Sequence, residues 1–311
     1  MDPLLIVFGF GVGVLVGMTG MGGGSLMTPL LVLLFGVTPT IAVASDIAYQ
    51  AITKTVGGWR HFKLRTVNFD MVKWLAIGSV PGAISGVYVI HLMERLWGDS
   101  VQTFTLIALG VVLALTGGFT LVRSLLVPKL EDDAKQGHVN LDRMHRFLAV
   151  MIGVTTGFVI GITSAGSGTL IAVALIAIFN LSPRNVVGTD VFHAAILLWA
   201  AGFAHWVGGG IDFVLVGTLL LGSIPGVILG AKFSVKVPIG ALRTALGMVL
   251  VASGSATLAK ADIPFAPLML VSTMGIFLVG FVISVLIGKK QNPWAISTTP
   301  SEGAPQAASS Q

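Results

Sequence analysis

The chain contains no cysteine in 311 residues. Disulfides, thiolate metal sites, iron–sulfur clusters and thiol nucleophiles are excluded, and cysteine usage says nothing about redox compartment. Charge is nearly as scarce. Asp, Glu, Lys and Arg make up 10% of the residues, against about 25% in soluble domains. A Walker A sequence is missing, and with it the means for this chain to spend ATP itself. No basic n-region precedes the first apolar run, which begins Met-Asp-Pro, so no removable signal peptide is expected. No metal-ligand or cofactor-binding motif stands out, and none is expected. The formal charge of +5 does not point to nucleic acid, because Lys and Arg fall in short loops and at helix ends.

Apolar residues and glycine fill the space. Hydrophobic residues make up 54%, and there are 40 glycines. Apolar segments run approximately over 3–19, 26–36, 39–59, 68–92, 101–123, 146–163, 169–180, 185–206, 212–231, 241–259 and 265–288. Most are long enough to span a bilayer as helices. Two, 26–36 and 169–180, would reach only about 16–18 Å at 1.5 Å per residue, half of a hydrocarbon core. Each follows a glycine-rich break. The expected class is an all-α polytopic membrane protein with the lipid bilayer as its surroundings.

The chain repeats itself. Residues 9–86 align without a gap to 153–230. Gly13, Gly17, Thr19, Gly22, Gly24 and Leu26 match Gly157, Gly161, Thr163, Gly166, Gly168 and Leu170. Pro39, Asp46, Gly58 and His61 match Pro183, Asp190, Gly202 and His205, and Gly78-Ser79-Val80-Pro81-Gly82 matches Gly222-Ser223-Ile224-Pro225-Gly226. Apolar bias alone does not put Asp on Asp, His on His and Pro on Pro in one register. The implied organisation is a first repeat over 1–127, a cytoplasmic loop over 128–145, a second repeat over 146–262, an extra helix over 263–288 and a disordered tail over 289–311.

Charge orients the halves oppositely. Arg60, Lys63 and Arg65 make one loop basic and hence cytoplasmic, whereas the equivalent Trp206–Asp212 loop has no Lys or Arg. Conversely, 93–100 is weakly charged and its counterpart carries Lys232 and Lys236. Two inverted repeats of five segments each are expected, with the N-terminus outside and the C-terminus inside. Inverted repeats with broken helices are a common architecture of secondary transporters.

Few residues could carry chemistry. The breaks, Gly20-Met21-Gly22-Gly23-Gly24-Ser25 and Ser164-Ala165-Gly166-Ser167-Gly168-Thr169, each open a half-helix, with Ser25 and Thr169 as candidate N-caps. A helix N-terminus offers unpaired N–H groups to an anion, and glycine lets a ligand reach them. Gly22, Gly23, Gly24, Ser25, Gly166, Ser167, Gly168 and Thr169 are thus candidate substrate contacts; close helix packing is the alternative. Asp46 and Asp190 are expensive in a membrane and read either as titrating groups or as structural braces. Gln50 and Thr53 share the Asp46 face, and His193 shares that of Asp190. Lys54 could hold an anion or snorkel towards Trp59 and Arg60. His61 and His205 end their helices. Asn68 and Asp212 are expected to cap the helices that follow.

The duplicated glycine break, proline, Ser-Asp or Thr-Asp pair, terminal His and Gly-Ser-x-Pro-Gly run resemble the TauE/SafE sulfite exporter family over approximately 5–260. The resemblance implies a prokaryotic membrane permease for sulfite, sulfonates or related small anions. Many members have Gly-Thr-Ser where this chain has Ala44-Ser45-Asp46 and Gly188-Thr189-Asp190. The expectation is a non-enzymatic secondary carrier, an exporter of a small anion. It is proton-coupled through Asp46, Asp190 and His193, resides in the inner cell membrane and is compatible with homo-oligomerisation. An uncoupled channel for the same solutes is the alternative. A hydrolase using Ser164 or Ser167 with His193 fits less well, since the first half has Gly20, Gly23 and Tyr49 in their places.

Overall fold

The computed structural model describes residues 3–19, 24–126, 141–168, 170–179, 181–233 and 239–262. All the regular structure there is helical. α1 spans Pro3–Thr19, α2 Gly24–Leu34, α3 Pro39–Lys63, α4 Phe69–Trp97 and α5 Ser100–Leu126. In the second half, α6 spans Arg143–Thr163, α7 Leu170–Ala177, α8 Pro183–Val207, α9 Phe213–Phe233 and α10 Ile239–Lys260. Five of these, α4, α5, α6, α8 and α9, are long and apolar enough to cross a membrane. The expected helix over 263–288, the tail, most of the connecting loop, Gly22, Gly23 and Thr169 lie outside the described residues.

Local chemistry sets the helix ends. Pro39 and Pro183 open α3 and α8 at the position where a missing N–H costs nothing. The Asn68 side chain caps α4 by accepting from Met71 N at 3.0 Å. Asp212 does the same for Leu215 N at 3.0 Å. Asp142 accepts from His145 N at 2.8 Å, which starts α6 at Arg143, ahead of its apolar run. That bond, with the His145 ring at 2.7 Å, holds the Asp142 carboxyl below its usual range. α2 and α7 are 11 and 8 residues long, so they rise only about 16 and 12 Å. Ser25 falls inside the first turn of α2 rather than ahead of it.

Glycine decides the packing. α1 lies against α9, and α4 against α6, the two most extensive helix pairings among the described residues. A Cβ on Gly13 would collide with the backbone of Ser223, and one on Gly17 with that of Val227. At the equivalent places, Gly157 meets Ser79 and Gly161 meets Ala83. The facing glycines do likewise: Gly78 and Gly82 lie on Val150 and Val154, and Gly222 and Gly226 on Ile6 and Phe10. Every contact recurs when 144 is added to one partner and subtracted from the other. Helices in lipid associate through such small-residue faces because apolar side chains gain little by leaving hydrocarbon.

The same exchange governs the centre. α3 packs on its own equivalent α8, and α5 on α10. Ser45 Oγ accepts from Asp212 N at 3.0 Å, and Thr189 Oγ1 accepts from Asn68 N at 3.0 Å. The hydroxyl preceding each aspartate therefore fastens the first residue of a helix in the opposite half. Outward-facing side chains such as Val56, Ile77, Tyr88, Phe147, Trp199, Phe203, Leu221 and Ile228 are exposed and apolar. A face of that kind is stable against lipid, not water. At one end, Lys63 lies over the Trp59 ring and Arg146 over Trp74, a basic and aromatic border.

Candidate functional site

The two aspartates are buried where the halves meet, and their surroundings differ. Asp46 is fully buried on α3. Its Oδ2 accepts from Thr28 Oγ1 of α2 at 2.6 Å, from Ser164 Oγ at 2.9 Å and from Gln50 Nε2 at 3.0 Å. Thr28 and Ser164 also touch each other at 2.6 Å. Gln50 Nε2 reaches the Ser164 carbonyl at 3.2 Å, and Ser167 Oγ donates to Gln50 Oε1 at 3.4 Å. A half-helix of the first repeat and the glycine break of the second are thus joined through one carboxyl. Oδ1 of Asp46 has no hydrogen-bond partner.

Asp190 has none of this cage. The positions equivalent to Thr28, Gln50, Ser164 and Ser167 are Ala172, Ala194, Gly20 and Gly23. Instead, Lys54 Nζ lies 3.9 Å from Asp190 Oδ2, with both side chains buried. This ion pair crosses from α3 to α8, and the position equivalent to Lys54 is the buried Leu198. Among the described residues, Lys54 Nζ has no hydrogen-bond acceptor. It does not snorkel: the side chain stays buried beside Asp190 instead of reaching Trp59 and Arg60.

The second break is a chain of left-handed turns. Ser164 ends α6 at φ +57°, and Gly166 and Gly168 follow at +98° and +101°. Residues 164–168 are buried. No acceptor engages the N–H of Gly166, Ser167 or Gly168 among the described residues. Gly24 opens α2, so both breaks lead into half-helices as their composition implies.

His193 turns away from the serines of the break. Its Nε2 pairs with Ser79 Oγ of α4 at 2.7 Å, and Nδ1 has no partner. The hydrolase dyad with Ser164 or Ser167 is not formed; those hydroxyls serve Asp46 and Gln50. Thr53, on the Asp46 face by helical spacing, bonds back to the Tyr49 and Gln50 carbonyls and stays outside the cage. His61 pairs with Thr66 at 2.9 Å and His205 with the Gly161 carbonyl at 3.1 Å, which makes both of them fasteners of local structure. Thr28, Ser79 and Ser164 escape sequence reasoning as partners, because a hydroxyl in an apolar helix ordinarily bonds its own backbone. The mismatch of Thr28 with Ala172 was the available signal.

Among the described residues, ten helices with apolar outer faces, half-helices and charged groups buried at the interface between halves define a multi-pass membrane protein. The family model "Sulfite exporter TauE/SafE" matches residues 5–257, and the chain belongs to that family. It is 41% identical over 254 residues to the probable membrane transporter protein YjnA of Bacillus subtilis, covering 82% of this chain and 98% of that one. YdhB, a probable membrane transporter protein of the same organism, is 28% identical over 78% of this chain and 94% of its own. A probable membrane transporter protein of Methanocaldococcus jannaschii, MJ0441, is 27% identical over 61% of this chain and 66% of its own. No solved structure matches the chain.

Proposed function

We propose that this protein is a secondary carrier that exports a small anion, sulfite or an organosulfonate, across the cell membrane, with transport coupled to protons. The observation that carries this reading is Lys54: a buried ammonium between the halves with no hydrogen-bond acceptor among the described residues. Leaving a buried donor unmade costs about 1–3 kcal/mol, more for a charged one. An anion supplies the missing acceptor. The unpaired N–H groups of Gly166, Ser167 and Gly168 add neutral donors of the kind anions use. Gly22, Gly23, Gly24, Ser25 and Thr169 complete the proposed substrate contacts. Membership of a family described by sulfite export, and relatives named as probable membrane transporters, favour transport over catalysis.

Proton coupling is supported by hydrogen counting at Asp46. Asp46 Oδ2, Thr28 Oγ1 and Ser164 Oγ form a triangle with sides of 2.6, 2.6 and 2.9 Å. The two hydroxyls supply two hydrogens for three sides. All three are bonded only when a proton on Oδ2 makes Asp46 donate to one hydroxyl, which then donates to the other, in place of accepting from both. Asp46, Asp190 and His193 are the proposed proton-handling groups. The two repeats are proposed to be inverted. In support, their contacts exchange under the 144-residue offset, and the basic border at Lys63 and Arg146 lies at one end. By charge the N-terminus is then outside and the C-terminus cytoplasmic.

The test is flux of labelled sulfite and sulfonates in proteoliposomes with an imposed pH gradient. Accumulation that collapses with the gradient is expected. Flux that ignores the gradient reduces the protein to a channel, and no flux of any of these anions removes the reading. Asp46→Asn is expected to keep anion exchange and lose gradient-driven accumulation.

A further inference from the structure

Lys54 and Asp190 face each other across the two halves at 3.9 Å, beyond hydrogen-bond distance yet close enough to pair as charges. The Lys54 donors stay unused. A small oxyanion entering here finds a cation on one side and a carboxylate on the other. While ionised, Asp190 can only accept hydrogen bonds and repels the newcomer. Once protonated it becomes a donor, and the repulsion is gone. We propose that an oxyanion binds between Lys54 and a protonated Asp190, so that the anion and one proton enter this site together. The proposal rests on the carrier reading above and deepens it by naming the coupling pair and the ligand class, a singly charged oxyanion.

Charge balances in each state. Empty, the Lys54–Asp190 pair holds one positive and one negative group. Loaded, it holds ammonium, anion and neutral acid, and again sums to zero. The proton comes from the aqueous phase that supplies the anion and goes to an Asp190 oxygen; no bond in the anion breaks. A dianion would leave the buried site with a net negative charge, and a cation would leave it positive. The equivalent pair in the other orientation, Leu198 with Asp46, has no cation to hold an anion. Duplication therefore produced one anion site, not two.

Other titratable groups stand near. His61 and Arg60 on α3 and His193 on α8 lie within electrostatic reach of this charge cluster. Ser79 of α4 holds the His193 ring at Nε2. Asp46 and Tyr49 lie further back on α3. The titratable residues of the other helices packed on α3 and α8 sit near the helix ends, Asp70, Lys73, His91, Glu94 and Arg95 on α4, Arg123 on α5 and Lys232 on α9, save for Tyr88 inside α4, whose side chain is exposed. α2 and α7 contain none.

The experiment titrates the purified full chain with methanesulfonate, which remains a monoanion throughout the neutral range, and follows pH in lightly buffered solution. One proton is taken up per anion bound. Affinity falls about tenfold per pH unit above the pKa of the free site. Asp190→Asn, whose amide donates permanently, keeps binding but loses both the proton uptake and the pH slope. Lys54→Met loses binding. Binding by the unaltered protein without proton uptake, or a full pH slope in Asp190→Asn, overturns the proposal. Should Asp190→Asn not insert, proton uptake by the unaltered protein decides alone. If sulfite flux is present while methanesulfonate binds without a proton, only this inference falls. If the protein neither binds nor transports either anion, the carrier reading falls and takes this inference with it.

Discussion

At the scale of single residues, equal positions in a duplicated chain have diverged through their neighbours. Asp46 and Asp190 occupy matching places, yet one is wrapped by Thr28, Gln50 and Ser164 and the other faces Lys54. The cage hydroxyls are therefore expected to matter for stability in a way that other helix hydroxyls do not. Thr28→Val and Ser164→Ala should each destabilise the protein by about 1–3 kcal/mol, the cost of stranding a buried partner. Thr53→Val, whose hydroxyl bonds only carbonyls of its own helix, should stay within about 0.5 kcal/mol, as substitutions away from such networks do. Thermal unfolding of the three variants in one detergent checks the contrast. Equal losses at all three would show that the cage does not brace the halves.

At the scale of helices, glycine spacing carries the load. Gly9-Gly13-Gly17, Gly78-Gly82-Gly86, Gly153-Gly157-Gly161 and Gly222-Gly226-Gly230 each repeat every fourth residue, so each lines one helix face. A Cβ on any of the twelve would come within 3 Å of a carbonyl oxygen of the facing helix. Gly82→Ala and Gly226→Ala should each cost about 1–3 kcal/mol, the usual penalty of overpacking, or more where backbone must move. Gly118→Ala and Gly217→Ala, where a Cβ meets nothing within 4 Å, should be neutral or slightly stabilising. Melting temperatures of the four variants test this, and a neutral Gly82→Ala would contradict the packing. The ladder was visible in the sequence as a four-residue period. Which helix each face meets was not, because identical glycine faces occur on four helices and sequence does not say which pairs join.

At the scale of the whole molecule, the glycine-face contacts and the Ser45–Asp212 and Thr189–Asn68 bonds exchange under the same offset, while the Asp46 cage and the Lys54–Asp190 pair do not. Such exchange ties each half to the other more closely than to itself, so neither half is expected to be stable alone. The proposed inversion has a direct test in a protein without native cysteine. Lys63→Cys and Val207→Cys both place a thiol at an exposed helix end. An impermeant reagent added outside intact cells should label the second and not the first. Position 207 suits this better than Gly209, whose φ of +79° disfavours a side chain. Labelling of Lys63→Cys from outside would overturn the orientation.

The sequence by itself determined the helical class, the half-length helices, the duplication and the capping roles of Asn68 and Asp212. These depend on local periodicity and on chain neighbours, which composition records. Only the tertiary structure decided that Lys54 faces Asp190 and does not snorkel, that His193 binds Ser79, and that Asp46 is caged by Thr28 and Gln50 of its own half and Ser164 of the other. Each of those contacts joins residues in different halves or on different helices, save for Gln50, which lies four residues from Asp46 on the same helix. No local preference encodes them. They follow from which glycine faces meet, and that pairing is a property of the packed whole.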